Sequence, residues 1–115
     1  MIIIKQDDDV QAIPMDMEGV NGVFKKILIG PEDSSDTIVM RHFRIEPDGH
    51  TPFHVHDFEH VIKVMGGRGV VYGGPGQETE ISAGQSLFVP GGTMHQFRNS
   101  SDESFEFLCI IKHQD

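Results

Sequence analysis

The chain has a single cysteine, Cys109, so neither an intrachain disulfide nor a cysteine-rich zinc site can form. A lone thiol agrees with a reducing cytoplasm, which is the expected location. Basic residues are also few: nine Lys and Arg stand against eighteen Asp and Glu, a formal charge of −9 with histidine neutral. A surface of that sign repels phosphate backbones, and no nucleic-acid partner is expected. Long apolar runs are missing as well. No stretch approaches the roughly eighteen residues a membrane helix needs, and Met1-Ile2-Ile3-Ile4-Lys5 lacks the basic flank of an export signal. Neither membrane insertion nor export is expected. The chain shows no helical period, no internal repeat, and no low-complexity tract beyond Asp7-Asp8-Asp9, which reads as a solvated bend.

What the chain does have is punctuation. Thirteen Gly and six Pro cut it into short apolar stretches, the pattern of strands joined by turns. Strands are expected at residues 2–5, 23–29, 37–45, 54–55, 60–65, 69–72, 78–81, 86–89, 94–98 and 105–112, with residues 7–22 the least structured part. Reversals are expected at Pro47-Asp48-Gly49, Gly66-Gly67, Gly73-Gly74-Pro75-Gly76 and Gly91-Gly92. At 115 residues this is one domain, 1–115, of all-β class. A sandwich or a closed barrel would cover its sheet edges, and composition does not choose between them.

The histidines are unevenly placed. Three of the seven, His54, His56 and His60, fall within one short stretch, and His95 stands alone further on. On an extended chain His54 and His56 project from the same face. If a turn at residues 57–59 starts a new strand, His60 joins them, sharing its face with Ile62 and Val64. Neutral imidazole is the commonest metal ligand, and three on a rigid sheet with a fourth from a neighbouring strand suit a divalent first-row metal. His95, alternating with Phe97, is the expected fourth.

Gly49, His54-Val55-His56, His60 and Gly67 resemble the first cupin motif; Gly84, Pro90-Gly91-Gly92, His95 and Asn99 match the second at every defined position. Together these motifs span residues 49–99. The spacing departs from the first motif in two ways: one residue fewer separates Gly49 from His54, and His60 stands where glutamate is usual. Glu59 is adjacent but would face the other way, so His60 is taken as the ligand. The string from His54 to Gly67, with residues 88–99 and the ending Phe105–Ile111, most resembles the small four-histidine manganese cupins. That resemblance implies a jelly-roll β-barrel holding one divalent metal inside one end. Mn(II) is the first expectation, with Fe(II), Zn(II), Ni(II) or Co(II) as other occupants. It also implies two adjacent open metal positions and oxidation chemistry that uses dioxygen or peroxide.

Parity along the strands places further residues. Val39, Arg41, Phe43 and Ile45 form the more apolar face of residues 37–45, which turns Arg41 inward, where a guanidinium needs a carboxylate or a ligand. Substrate contact and a structural ion pair are both open. His42 falls on the outer face, His50 in a loop near the pocket mouth and His113 near the solvated end. Phe105, Phe107, Cys109 and Ile111 share one apolar face, so Cys109 and Phe107, with Phe97, are expected to wall a substrate pocket. Cys109 is either a small buried hydrophobe or a thiol open to oxidation by a redox metal. Asp57 and Glu59 flank the ligands, where a carboxylate can orient an imidazole.

The first functional expectation is a metal-dependent oxidoreductase, of oxygenase type, acting on a small apolar or aromatic molecule. The alternative is a non-redox metallo-cupin, either an isomerase or lyase or a small-molecule binding module. The apolar strand at residues 2–5, set apart by a polar link, suits pairing with another subunit, and a homodimer is expected.

Overall fold

A computed structural model describes residues 1–114. Its strands are β1 (Ile13–Pro14), β2 (Asn21–Ile29), β3 (Ile38–His50), β4 (His60–Gly66), β5 (Arg68–Tyr72), β6 (Glu78–Ser82), β7 (Ser86–Val89), β8 (Gln96–Arg98) and β9 (Phe105–Lys112). Alternation along β3 buries Val39, Phe43 and Ile45 and leaves Ile38 exposed on the opposite face. The partner strand β9 repeats the pattern, burying Phe105, Phe107 and Cys109. The two pair in register from Ile38 opposite Lys112 to Ile45 opposite Phe105, so their apolar faces form one wall.

All pairings are antiparallel, and the strand order is β6-β5-β8-β3-β9-β4-β7, with β2 on β3 and β1 on β2. The length of β3 explains the curl, since its first part pairs with β9 and its last residue, His50, with Arg98 of β8. The sheet thereby wraps around Ile45, Ile62, Val64, Phe97, Phe105 and Phe107, the centre of one apolar core. This is the single-domain jelly-roll that the sequence predicts.

Several strand bounds agree with expectation, including Ser86–Val89 and Phe105–Lys112. Others do not. Residues 2–5 form no strand; Ile2, Ile3 and Ile4 are exposed, and the segment is tied back at Lys5, which donates to the Leu28 carbonyl (3.0 Å) and pairs with Asp33 (2.8 Å). They pair with no strand among the described residues. The reversal expected at Pro47-Asp48-Gly49 is a bulge inside β3: pairing with β2 jumps from Ile45–Val23 to His50–Asn21. Asp48 takes the left-handed conformation there (φ 65°), and Gly49 packs where a Cβ would lie 2.6 Å from the Asn21 carbonyl oxygen. Strand pairing continues because Asp48 N–H donates to Asn99 O and Asn99 N–H donates to Gly49 O, both at 2.9 Å. Residues 7–22 contain a 3₁₀ turn, Asp7–Asp9, and the short strand β1, which pairs with β2.

Candidate metal centre and its cavity

The two histidine-bearing stretches are joined through their backbones. His54 N–H donates to His95 O (3.1 Å) and His95 N–H returns a bond to His54 O (2.9 Å), a single antiparallel bridge outside the named strands. One turn further, Gly92 N–H donates to His56 O at 2.6 Å. Gly91 permits this approach, because a Cβ there would sit 2.5 Å from the Asp57 carbonyl oxygen. The Pro-Gly-Gly turn therefore has a structural task, holding the segment of His56 against that of His95. His60 arrives from the start of β4, opposite Val89 of β7.

These four side chains converge. Ring centres are 4.2 Å apart for His54–His56, 4.9 Å for His54–His95, 5.3 Å for His56–His60 and for His60–His95, and 6.1 Å for His56–His95. Imidazoles on one ion at about 2.1 Å from each nitrogen have ring centres roughly 4.5 Å apart when adjacent and about 6.5 Å when opposed. The observed range falls across those values. The donor nitrogens themselves do not form a closed coordination shell, and no set of three or more His, Cys, Asp or Glu among the described residues does.

The hydrogen bonding and ionisation of the rings fit a ligand role. His95 Nδ1 lies 2.9 Å from the Thr93 carbonyl oxygen, which can only accept, so Nδ1 carries the proton and Nε2 keeps its lone pair. His60 is 5% exposed, and its Nδ1 is buried with no hydrogen-bond partner. Burial, reinforced by neighbouring rings and by Arg41, pushes His54 and His60 down to about 4 and lowers His56 as well. Neutral imidazole is the form that ligates metals. Phe58, which sequence reasoning did not single out, packs against both His56 (4.7 Å) and His60 (5.0 Å) and limits their movement.

The rings lie at one side of a cavity of about 210 Å³. Phe97 and Phe107 wall it, 4.8 Å apart, and Phe107 stacks on Phe43 at 5.3 Å. Cys109 and Arg41 line it as strand parity predicts. Arg41 has no carboxylate partner among the described residues; its Nη2 donates to Cys109 Sγ (3.0 Å), and the guanidinium packs over Phe43 (5.0 Å). The cysteine is buried, and that burial raises its pKa, so it is a thiol. Met15 and Met17 also face the cavity, although residues 7–22 carry no alternation that would have pointed to them.

The remaining candidates lie elsewhere. His42 is on the outer face, half-buried beside Glu106 (3.1 Å) instead of free in solvent. His50 closes β3 in place of the expected loop. Glu59 is exposed, as expected. Asp57 is exposed too and makes no hydrogen bond to an imidazole; its charge only opposes the lowering of His56.

The description of the cupin domain as a protein family matches residues 41–111, well over half of the chain. This chain belongs to the cupin family. Among curated proteins the cupin is similar to 1-methylthio-D-xylulose 5-phosphate methylsulfurylase of Rhodospirillum rubrum, at 31% identity over 72 residues. The match takes in 63% of this cupin and 46% of the relative, so the chain spans about half the relative's length. Among solved structures it is similar to the polyketide cyclase RemF from Streptomyces resistomycificus: 28% identity, 99% of this chain and 81% of that one, TM-score 0.93. A sugar phosphate isomerase of the cupin superfamily from Silicibacter pomeroyi shares the fold, at 20% identity, 96% and 76% coverage and TM-score 0.81.

Proposed function

We propose that this cupin is a metal-dependent enzyme in which His54, His56, His60 and His95 hold one divalent transition metal, Mn(II) first among the candidates. Its substrate would be a small aromatic or polyketide-like molecule seated against Phe97 and Phe107. The observation that carries this reading is the convergence of four imidazole rings on an otherwise mostly apolar cavity. When bound there, the ion would supply Lewis acidity toward a carbonyl or phenolic oxygen.

The chain's own residues account for the rest. Phe97 and Phe107 offer planar surfaces that orient a ring, and with Met15 and Met17 they exclude water from its faces. Thr93 holds His95 in one tautomer through its carbonyl. Four neutral donors leave the dipositive charge uncompensated, whereas a carboxylate would cancel part of it, and this favours the divalent state and Lewis-acid chemistry. The likeness to a polyketide cyclase over 99% of the chain supports a non-redox rearrangement such as ring closure. The second reading is the oxidoreductase using dioxygen or peroxide. It is favoured by a cavity that, among the described residues, has no Asp or Glu to move protons.

Elemental analysis of untagged protein, then turnover of aromatic polyketide-type substrates with and without oxygen, tests both. One metal per chain and a product formed under argon are expected. Oxygen uptake with an oxygen-bearing product would establish the second reading instead, and protein that takes up no divalent metal would overturn both.

The assembly we propose is a homodimer in the cytoplasm, with the exposed Ile2, Ile3 and Ile4 covered by the partner. Among the described residues no helix is long and apolar enough to cross a membrane. Light scattering should give about twice 12.8 kDa, and a monomer at micromolar concentration would count against the dimer.

A further inference from the structure

Arg41 is a charged side chain whose apolar surroundings leave it incompletely satisfied. Its Nε is buried without a hydrogen-bond partner, and Nη2 has only the sulfur of Cys109, a weak acceptor, at 3.0 Å. A guanidinium donates in a planar fork suited to two parallel bonds with a carboxylate, and a buried one left without an anion is costly. Among the described residues no Asp or Glu lines the cavity to fill that role. A second cation adds to the positive field: Lys25 sits opposite Phe43 on the adjacent strand, on the same inward face, and has no ion-pair partner among the described residues. In a chain of net charge −9, a cavity lined by Arg41 and, among the described residues, by no carboxylate, with Lys25 on the adjacent strand, is an exception that a ligand can explain.

Register places Arg41 relative to the histidines. Arg41, Cys109 and Ile62 are direct neighbours across β3, β9 and β4, one inward row away from His60 and one from the row of Phe43, Phe107 and Val64. A ligand lying along the Phe97 and Phe107 rings can therefore present one end to Arg41 and the other to the imidazoles.

We propose that Arg41 is an anion anchor that selects aromatic acids: a ligand whose ring lies on Phe97 and Phe107 and whose carboxylate takes the guanidinium from Cys109 Sγ. The cavity of about 210 Å³ is large enough for one substituted ring, since about 150 Å³ suffices for benzene. Lys contacts its anion as a point charge and lacks the planar fork, so Arg41→Lys keeps part of the selectivity. Arg41→Met removes the charge and leaves an apolar wall. The inference rests on the proposed function only in taking the same cavity as the ligand site.

The test uses metal-stripped full-length protein at pH 7.5, so that a bound ion cannot attract the anion itself. Benzoate and its neutral isostere benzamide are titrated by calorimetry or by chemical-shift changes of the cavity residues. In the native sequence benzoate should bind at least about tenfold more tightly than benzamide, the range expected for a charge-assisted hydrogen bond. In Arg41→Met the two should bind within about twofold of each other, and Arg41→Lys should fall between. Arg41→Gln provides a second neutral variant if Arg41→Met loses its far-ultraviolet β spectrum. Failure of benzoate to bind, or a preference for benzoate that survives both neutral variants, would overturn the anchor. Metal uptake is measured separately on the same proteins. A chain that prefers benzoate but takes up no metal overturns the proposed function and keeps the anchor; a chain that loads metal without preferring benzoate does the reverse.

Discussion

His54 and His95 exchange both of their backbone hydrogen bonds, at 3.1 and 2.9 Å, across forty residues of sequence. Their rings are 4.9 Å apart as a consequence of that pairing, so the candidate metal centre is built on main-chain geometry before any ion arrives. The turn at Gly91-Gly92 holds the same two segments together a few residues further on.

Gly91→Ala tests that role. A Cβ 2.5 Å from the Asp57 carbonyl must push the two segments apart, since the opposing atom is backbone and cannot rotate away. Divalent-metal affinity should fall by about 10–100-fold, as when the support of a ligand is disturbed, while the β spectrum is retained. Unchanged affinity would show that the turn does not position the rings.

Removing a ligand should cost more. His56→Ala and His60→Ala should each lower metal content well beyond the roughly 10–100-fold typical of a supporting residue, with the fold intact. His42→Ala, on the outer face beside Glu106, should leave metal content unchanged. Elemental analysis after gel filtration reads both. Equal metal content in all three variants would sink the ligand assignment.

The metal-free protein should lose stability on acidification. Burial holds His54 and His60 at about 4, against about 6.5 in an unfolded chain, so between those values the unfolded state binds more protons than the native one. Stability from these groups is present above about pH 6.5, is lost as the pH falls toward 4, and changes no further below that. Urea midpoints measured with chelator present should decline across this window. His60→Gln should show a shallower decline, and identical slopes would refute the assignment to this ring.

Asn99 should matter for stability rather than for binding. It is 1% exposed; its Nδ2 donates to Ile45 O (2.9 Å) and Glu103 O (2.7 Å), and its Oδ1 accepts from Ser101 N–H (3.0 Å) and Ser101 Oγ (2.7 Å). Asn99→Ala removes a buried donor to the Ile45 carbonyl, at a cost of about 1–3 kcal/mol. The melting temperature should drop by about 4–15 °C for a domain of this size. A fall in metal stoichiometry without a change in melting temperature would contradict this.

The sequence by itself determined the strands whose inner and outer faces differ in polarity. Residues 86–89 and 105–112 were legible because one face is apolar and a shift of one residue would expose it. It also determined which histidines face one way and that Arg41 and Cys109 point inward, since parity on a strand is a local property. Only the tertiary structure decided what depends on partners far along the chain. Pro47-Asp48-Gly49 has the residues of a turn and becomes a bulge because the main chain of Asn99 bonds to it on the far side. Residues 2–5 have the composition of a strand and form none, because composition does not supply the partner strand that a sheet requires. Met15, Met17 and Phe58 reach the cavity or its histidines without any periodicity to announce them. That Arg41 has no acidic partner among the described residues was likewise invisible, because strand parity fixes which way a side chain points, whereas its neighbours depend on how the whole sheet curls.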